Sequence, residues 1–228
     1  MKNKAFIAAI VVIALFSGAF VYLKNNIPVQ EPNSVASAPV APTAESFRVV
    51  PADKNTLIKP HSPSKGPENA KVTIVEFLDP QCEACAAMHP YAKKVFKEFE
   101  KNVRVVIRYM PFHGNSKQVS NILEGIRAEN ESKYWDALET LFQTQSQWAN
   151  HSNPQPQLIP DILKPLGLNM KKIMADAAEG KYDQIVMQDF EDGKAAGVNG
   201  TPTFFVNTVK LEDLGYEPLR AAVKNAAQ

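Results

Sequence analysis

The spacing of apolar positions changes character several times along the chain. Ala5 to Leu23 is a run of 19 residues, apolar apart from Ser17, Gly18 and Tyr22, with Lys2 and Lys4 before it and Lys24 after it. A run near 20 residues suits a bilayer, and the positive leading flank holds the amino end in the cytoplasm. The segment is therefore expected to be an export signal. Small residues at Ser17-Gly18-Ala19 offer a cleavage site, but Phe20 to Leu23 continues the apolar run beyond it, which favours an uncleaved anchor over a removed signal peptide. From Asn25 to about Lys65 the pattern dissolves into Pro, Ala, Ser and Asn, the composition of a linker. Coiled, it spans about 35 Å, and as polyproline II up to about 120 Å. The folded domain is placed from about residue 56 onward. Two apolar islands, Phe47 to Val50 and Leu57-Ile58, read as an edge strand of the domain or a contact between protomers.

Val72 to Leu78 is a β-branched and aromatic run closed by Asp79-Pro80, the pattern of a strand buried on both faces. From Cys82 the period becomes helical, through Met88, Tyr91-Ala92, Val95-Phe96 and Phe99, and should end near Asn102, with a kink at Pro90. Val103 to Tyr109 is a second strand, so the order is strand, helix, parallel strand. Residues 115–197 then carry only helical stripes. Strand character returns at Thr203 to Val206, followed by a turn at Asn207-Thr208, a short partner at Val209 to Leu211 and a final helix from about Glu217. The fold class is α/β, a sheet interrupted by a helical insertion.

Composition narrows the function. Lys and Arg number 25 against 24 Asp and Glu, so no excess charge is available to coat phosphates, and nucleic acid is not an expected partner. Two cysteines exclude a disulfide-rich scaffold and an all-cysteine zinc site within one chain.

Those two cysteines form Cys82-Glu83-Ala84-Cys85, placed where a strand gives way to a helix. Cys82 then faces the unpaired N–H groups of the helix start, which favour a thiolate, and Cys85 lies one turn away to close a ring. Thiol-disulfide exchange is the favoured reading. A structural disulfide is a weaker one, because so short a loop gains only about 2 kcal/mol. A metal site using Cys82, Cys85 and His89 needs a fourth ligand from elsewhere, and covalent haem is strongly disfavoured by Ala86 following Cys85.

Glu76-Phe77-Leu78-Asp79-Pro80-Gln81 leading into the cysteine pair, with Gly200-Thr201-Pro202-Thr203-Phe204-Phe205-Val206-Asn207 far downstream, resembles the DsbA-like thioredoxin-fold disulfide oxidoreductases. The resemblance implies that Cys82 attacks and Cys85 resolves, and that the Thr201–Pro202 bond is cis, with Thr201 backbone groups pairing with an extended substrate. It also implies that Glu76 relays protons to Cys85. A carboxylate in an apolar strand needs a role or a partner, and a pair with Lys71 is the alternative. No cofactor is implied beyond a redox-active Cys82–Cys85 disulfide, and no metal. Glu83 and Ala84 stand where strongly oxidising relatives carry Pro-His. A carboxylate beside Cys82 should oppose its ionisation. Thr201 before the proline also resembles reductase-type and isomerase-type relatives. The resemblance therefore implies a potential near or below about −150 mV, milder than about −120 mV for DsbA.

Tyr134-Trp135, Leu141-Phe142 and Trp148 are expected in packing rather than in a substrate groove, and His61, His113 and His151 as solvated loop residues. Met110 to Gly114 could line the rim of the site. Together these readings predict an extracytoplasmic thiol-disulfide oxidoreductase on the periplasmic face of a bacterial inner membrane, tethered by residues 5–23. Its partners would be protein thiols and disulfides and a membrane redox protein, and the apolar islands permit a homo-oligomer. The competing class is a copper- or zinc-binding protein.

Overall fold

A computed structural model describes residues 52–228. The expected anchor, the Phe47 to Val50 island and most of the linker lie outside these residues. Among the described residues no helix is long and apolar enough to cross a membrane.

Five strands form one sheet: β1 (Ser64–Lys65), β2 (Val72–Leu78), β3 (Val103–Tyr109), β4 (Thr203–Val206) and β5 (Val209–Lys210), in spatial order β1-β3-β2-β4-β5. β2 and β3 run parallel, in register from Val72 opposite Val103 to Leu78 opposite Tyr109. All other pairs are antiparallel. Central β2 is buried along nearly its whole length, as its unbroken apolar run requires.

Alternation along the strands sorts side chains into two cores. Val72, Ile74 and Leu78 join Val105, Ile107, Phe204 and Val206 on one face, packed with α2 (Glu83–Glu98), α9 (Tyr216–Ala226) and most of the insertion. On the other face Val75, Phe77, Val106, Met110 and Phe205 meet α1 (Lys54–Leu57) and α8 (Asp183–Ala195). Each fully buried side chain of this size stabilises by about 1.5–3 kcal/mol. Helix α8 comes very close to the sheet at Gly193, where a Cβ would lie 2.3 Å from the Met110 sulfur.

The insertion is helical, as its stripes predicted: α3 (Ser116–Glu129), α4 (Glu131–Gln143), α5 (Gln145–Trp148), α6 (Ile159–Ile162), α7 (Met170–Ala178) and α8. Buried polar groups bind it to the sheet. The Tyr109 hydroxyl lies 2.9 Å from Glu124 Oε1 and 3.0 Å from the Tyr134 hydroxyl, donating to the carboxyl group and leaving its lone pair to the second tyrosine. Trp148, fully buried, donates from Nε1 to the Leu141 carbonyl.

Three details depart from the sequence reading. Helix α2 stops at Glu98 rather than near Asn102, because Phe99 caps it and Asn102 N–H turns back to the Phe99 carbonyl. Pro90 lies inside α2, where the sequence placed it. Leu57-Ile58 is no edge strand: Asp53 caps α1 through its side chain, and Leu57 is buried in the second core. Arg108, read only as a strand position, is fully buried on that same side. It donates to Asp189 at 2.7 Å, to Asp192 at 2.6 Å and to the carbonyls of Thr56 and Leu57, so one guanidinium ties α1 to α8.

Candidate active site

The end of β2 and the start of β4 meet at one edge of the sheet. Phe77 pairs with Thr203, so the loop after Leu78 and the loop before Thr203 are adjacent. The first loop delivers Cys82, the second Thr201 and Pro202, whose shared peptide bond is cis. The Thr203 hydroxyl donates to the Gly200 carbonyl at 2.8 Å and closes that loop.

Asp79 organises the approach to Cys82. Its side chain is fully buried and accepts from the N–H groups of Gln81, Phe112 and His113 at 2.8, 2.7 and 3.0 Å, and from the Ser116 hydroxyl. Gln81 accepts from the Asn115 N–H at 2.7 Å. From the insertion, Gln145 Nε2 donates to the Pro80 and Cys82 carbonyls at 3.0 and 3.1 Å. Three segments thus fix one short loop. Sequence reasoning missed Asp79, Gln81 and Gln145, since lone polar residues carry no periodic signal.

Cys82 is the N-cap of α2 and only 8% exposed, while Cys85 is fully buried; both are free thiols. The Cys82 thiol is brought down to about 5, first by a hydrogen bond from the Cys85 side chain and further by the Thr201 side chain and the N–H groups of Cys85 and Ala84, against the opposing effect of burial. In its protonated form the thiol can donate to the Thr201 carbonyl, 3.2 Å away. Helix-start N–H groups aimed at sulfur are what favours a thiolate. Cys85 moves the other way, pushed far up by burial, by its hydrogen bond to Cys82 and by the nearby charge of Glu76.

Glu76 lies in the middle of β2, 2% exposed, and its Oε1 has no hydrogen-bond partner. Burial, and then the Cys82 thiolate, push its carboxyl group up to about 8. The Lys71 pairing is not formed: Lys71 Nζ donates to the Ala227 carbonyl instead. Glu76 faces a pocket of about 70 Å³ that also includes His89, Lys93, Trp135 and Glu139.

Glu83 lies at the surface of the first turn of α2. Its side chain is 69% exposed and stands 2.9 Å from His151 Nε2, and hydrogen bonds from other groups dominate at Cys82. Not all three histidines are free in solvent. His61 meets Asp189 at 2.9 Å and His113 Nδ1 meets Asp79 at 2.7 Å, while His151 is half exposed. In the Met110 to Gly114 segment, Met110 is core, and His113 reaches the rim. The metal site sketched from Cys82, Cys85 and His89 is not assembled. Among the described residues the trio of His, Cys or acidic donors that does converge is Glu83, His113 and His151.

A buried pair of cysteines at the start of a helix, beside a cis-proline loop of the same sheet, is the arrangement of a thioredoxin-fold protein. The chain belongs to the thioredoxin family, whose sequence model matches residues 59–225. It is 29% identical over 147 residues to the Na(+)/H(+) antiporter NhaA of Herminiimonas arsenicoxydans, covering 64% of this chain and 22% of that protein. Disulfide bond formation protein D of Bacillus subtilis is 24% identical over 172 residues, covering 71% of this chain and 75% of that one. The chain thus spans only about a quarter of the antiporter relatives and three quarters of the Bacillus protein. The crystal structure of oxidised BdbD from Bacillus subtilis superposes with a TM-score of 0.68 at 22% identity, over 73% of this chain and 93% of that one. The fold is therefore that of the DsbA-like group.

Proposed function

We propose that this protein is an extracytoplasmic protein thiol-disulfide oxidoreductase working through Cys82 and Cys85. The observation that carries the reading is the geometry of the pair: Cys82 caps the start of α2, 3.2 Å from the Thr201 carbonyl of the cis-proline loop, and Cys85 lies fully buried one turn on. The Cys82 thiol brought down and the Cys85 thiol pushed up agree with it. In the oxidised state a substrate thiolate attacks the Cys82 sulfur, and Cys85 leaves with the electron pair. Glu76, whose carboxyl group burial pushes up, supplies the proton that Cys85 takes up. A second substrate thiolate then attacks the mixed disulfide, releasing oxidised substrate and the Cys82 thiolate. Two electrons have passed to the enzyme. The reverse sequence begins with the Cys82 thiolate on a substrate disulfide and ends with Cys85 expelling the reduced substrate.

Thr201 and Pro202 border Cys82 and offer backbone to an extended substrate peptide. The redox-active disulfide is the only cofactor this chemistry requires. A Cys82 value near 5 falls between about 3.5 for DsbA and about 7 for thioredoxin. A better-stabilised thiolate makes a stronger oxidant, so the potential should lie between about −120 and −270 mV, milder than DsbA. Export by residues 5–23 would place the domain where protein thiols and a membrane redox partner meet it.

The test is the equilibrium potential of the full chain in glutathione buffers, with insulin reduction and refolding of a reduced disulfide protein assayed in parallel. A potential in that interval and turnover in one assay, lost in Cys82→Ser, is the expected result. A chain that catalyses neither would refute the proposal.

A further inference from the structure

We propose that Glu83, His113 and His151 form a binding site for one divalent transition-metal ion of the zinc class at the mouth of the active site. The site goes beyond the redox reading and uses neither cysteine. The three residues come from the first turn of α2, the loop after β3 and the loop after α5, yet their donor atoms all lie within 4.8 Å of one another. Two imidazoles and one carboxylate are a set that zinc accepts, with a fourth position left to water.

The strongest support is in the groups behind the ligands. His113 Nδ1 stands 2.7 Å from the buried Asp79 carboxyl group, which already accepts three backbone N–H bonds and a hydroxyl. An acceptor so placed assigns the ring proton to Nδ1 and leaves the Nε2 lone pair free. A carboxylate behind an imidazole orients metal-binding histidines in this way. His151 Nε2 lies 2.9 Å from Glu83 Oε1, and its ring centroid is 4.9 Å from that of His113. Ligands about 2.0–2.2 Å from zinc stand roughly 3–3.5 Å apart. Closing the trio around an ion therefore needs only small shifts of two exposed side chains. The His151 loop is itself held, since Asn150 Oδ1 accepts from the N–H groups of Ser152 and Asn153.

A structural reading is also available, in which His151 and Glu83 are no more than a surface ion pair worth little. Zn²⁺ binding separates the two. The full-length chain carrying Cys82→Ser and Cys85→Ser would be titrated with Zn²⁺ by calorimetry, which removes thiol binding from the readout. His151→Ala and Glu83→Gln, both at exposed positions, would be compared in the same background after matching their thermal unfolding. The expected result is one Zn²⁺ per chain, with affinity lowered at least about 10-fold by each substitution. Absence of Zn²⁺ binding in the cysteine-free chain, or an affinity that neither substitution lowers, would overturn the proposal.

Discussion

Charge on Glu76 raises the proton affinity of Cys85: both groups are buried on the same side of β2 and α2, and the carboxylate has one oxygen without a partner. Burial is the larger cause at both groups, pushing Glu76 up to about 8 and Cys85 far up, so at neutral pH both members hold their protons. This has a cost in stability that depends on pH. Glu76 titrates near 8 in the folded chain and near 4.5 when unfolded, so between those values the native state binds the additional proton. Stability must then fall as pH rises through the window, by about 5 kcal/mol at most. Glu76→Gln abolishes this dependence. Its stability relative to the parent should improve steadily from pH 5 to pH 8.5 in urea unfolding, while the resolution of a mixed disulfide by Cys85 slows about 10-fold or more. A stability difference that does not change with pH would contradict the account.

Cys82 behaves in the opposite sense. Its folded value near 5 lies below the unfolded value of 9, so the thiolate contributes stability fully above pH 9 and loses it as pH falls through 5. The Cys85 thiol is the largest cause of that depression. Cys85→Ala should raise the Cys82 midpoint by about one unit or more, read from thiolate absorbance in the ultraviolet against pH. Glu83→Gln should move it by less than about 0.5 unit, because that carboxylate is exposed and faces His151.

What was legible in the sequence follows from what carries a period. Strands β2 and β3 were readable to the residue because central strands are continuous apolar runs, and the insertion because amphipathic helices repeat. The cysteine pair and the Thr201-Pro202 dipeptide were legible as motifs. Nothing periodic marked Asp79, Gln145 or Arg108. Gln145 lies 63 residues from Cys82 in sequence, and a single amide among helical stripes gives no hint of where its bonds will go. The surroundings of Glu83 were hidden for a related reason: adjacency to Cys82 in sequence suggests a field at the sulfur but gives no sign that the turn of α2 also brings the carboxylate to His151.

Gln145 is the link by which the insertion restrains the cysteine loop. Its removal leaves the carbonyls of Pro80 and Cys82 without that donor in a buried setting. Gln145→Ala should cost about 1–3 kcal/mol, lowering the urea midpoint with an unchanged slope. The buried Cys85 thiol should also react faster with iodoacetamide in the native protein. A loss of stability without that gain in reactivity would place Gln145 in packing alone.

Arg108 supports the other face of the sheet and should affect stability without affecting redox chemistry. Its guanidinium is fully buried between Asp189, also fully buried, and Asp192, and it accounts for two main-chain carbonyls of the Thr56 to Leu57 segment. Removing one partner of such a pair leaves an uncompensated charge, which typically costs about 3–5 kcal/mol, whereas removing both can be nearly neutral. Arg108→Met alone should therefore be severely destabilising, and adding Asp189→Leu should recover part of the loss. The recovery would be incomplete, because Asp189 also accepts from the Tyr109 N–H and meets His61. A double-mutant cycle by urea unfolding measures the coupling. Arg108 packs against Phe77 of the second core whereas Cys82 belongs to the first, so the reduction potential of the folded variants should match that of the parent. A potential that shifted along with stability would show that the Arg108 network also positions the active-site loop, through Tyr109 and the segment that follows it to Asp79.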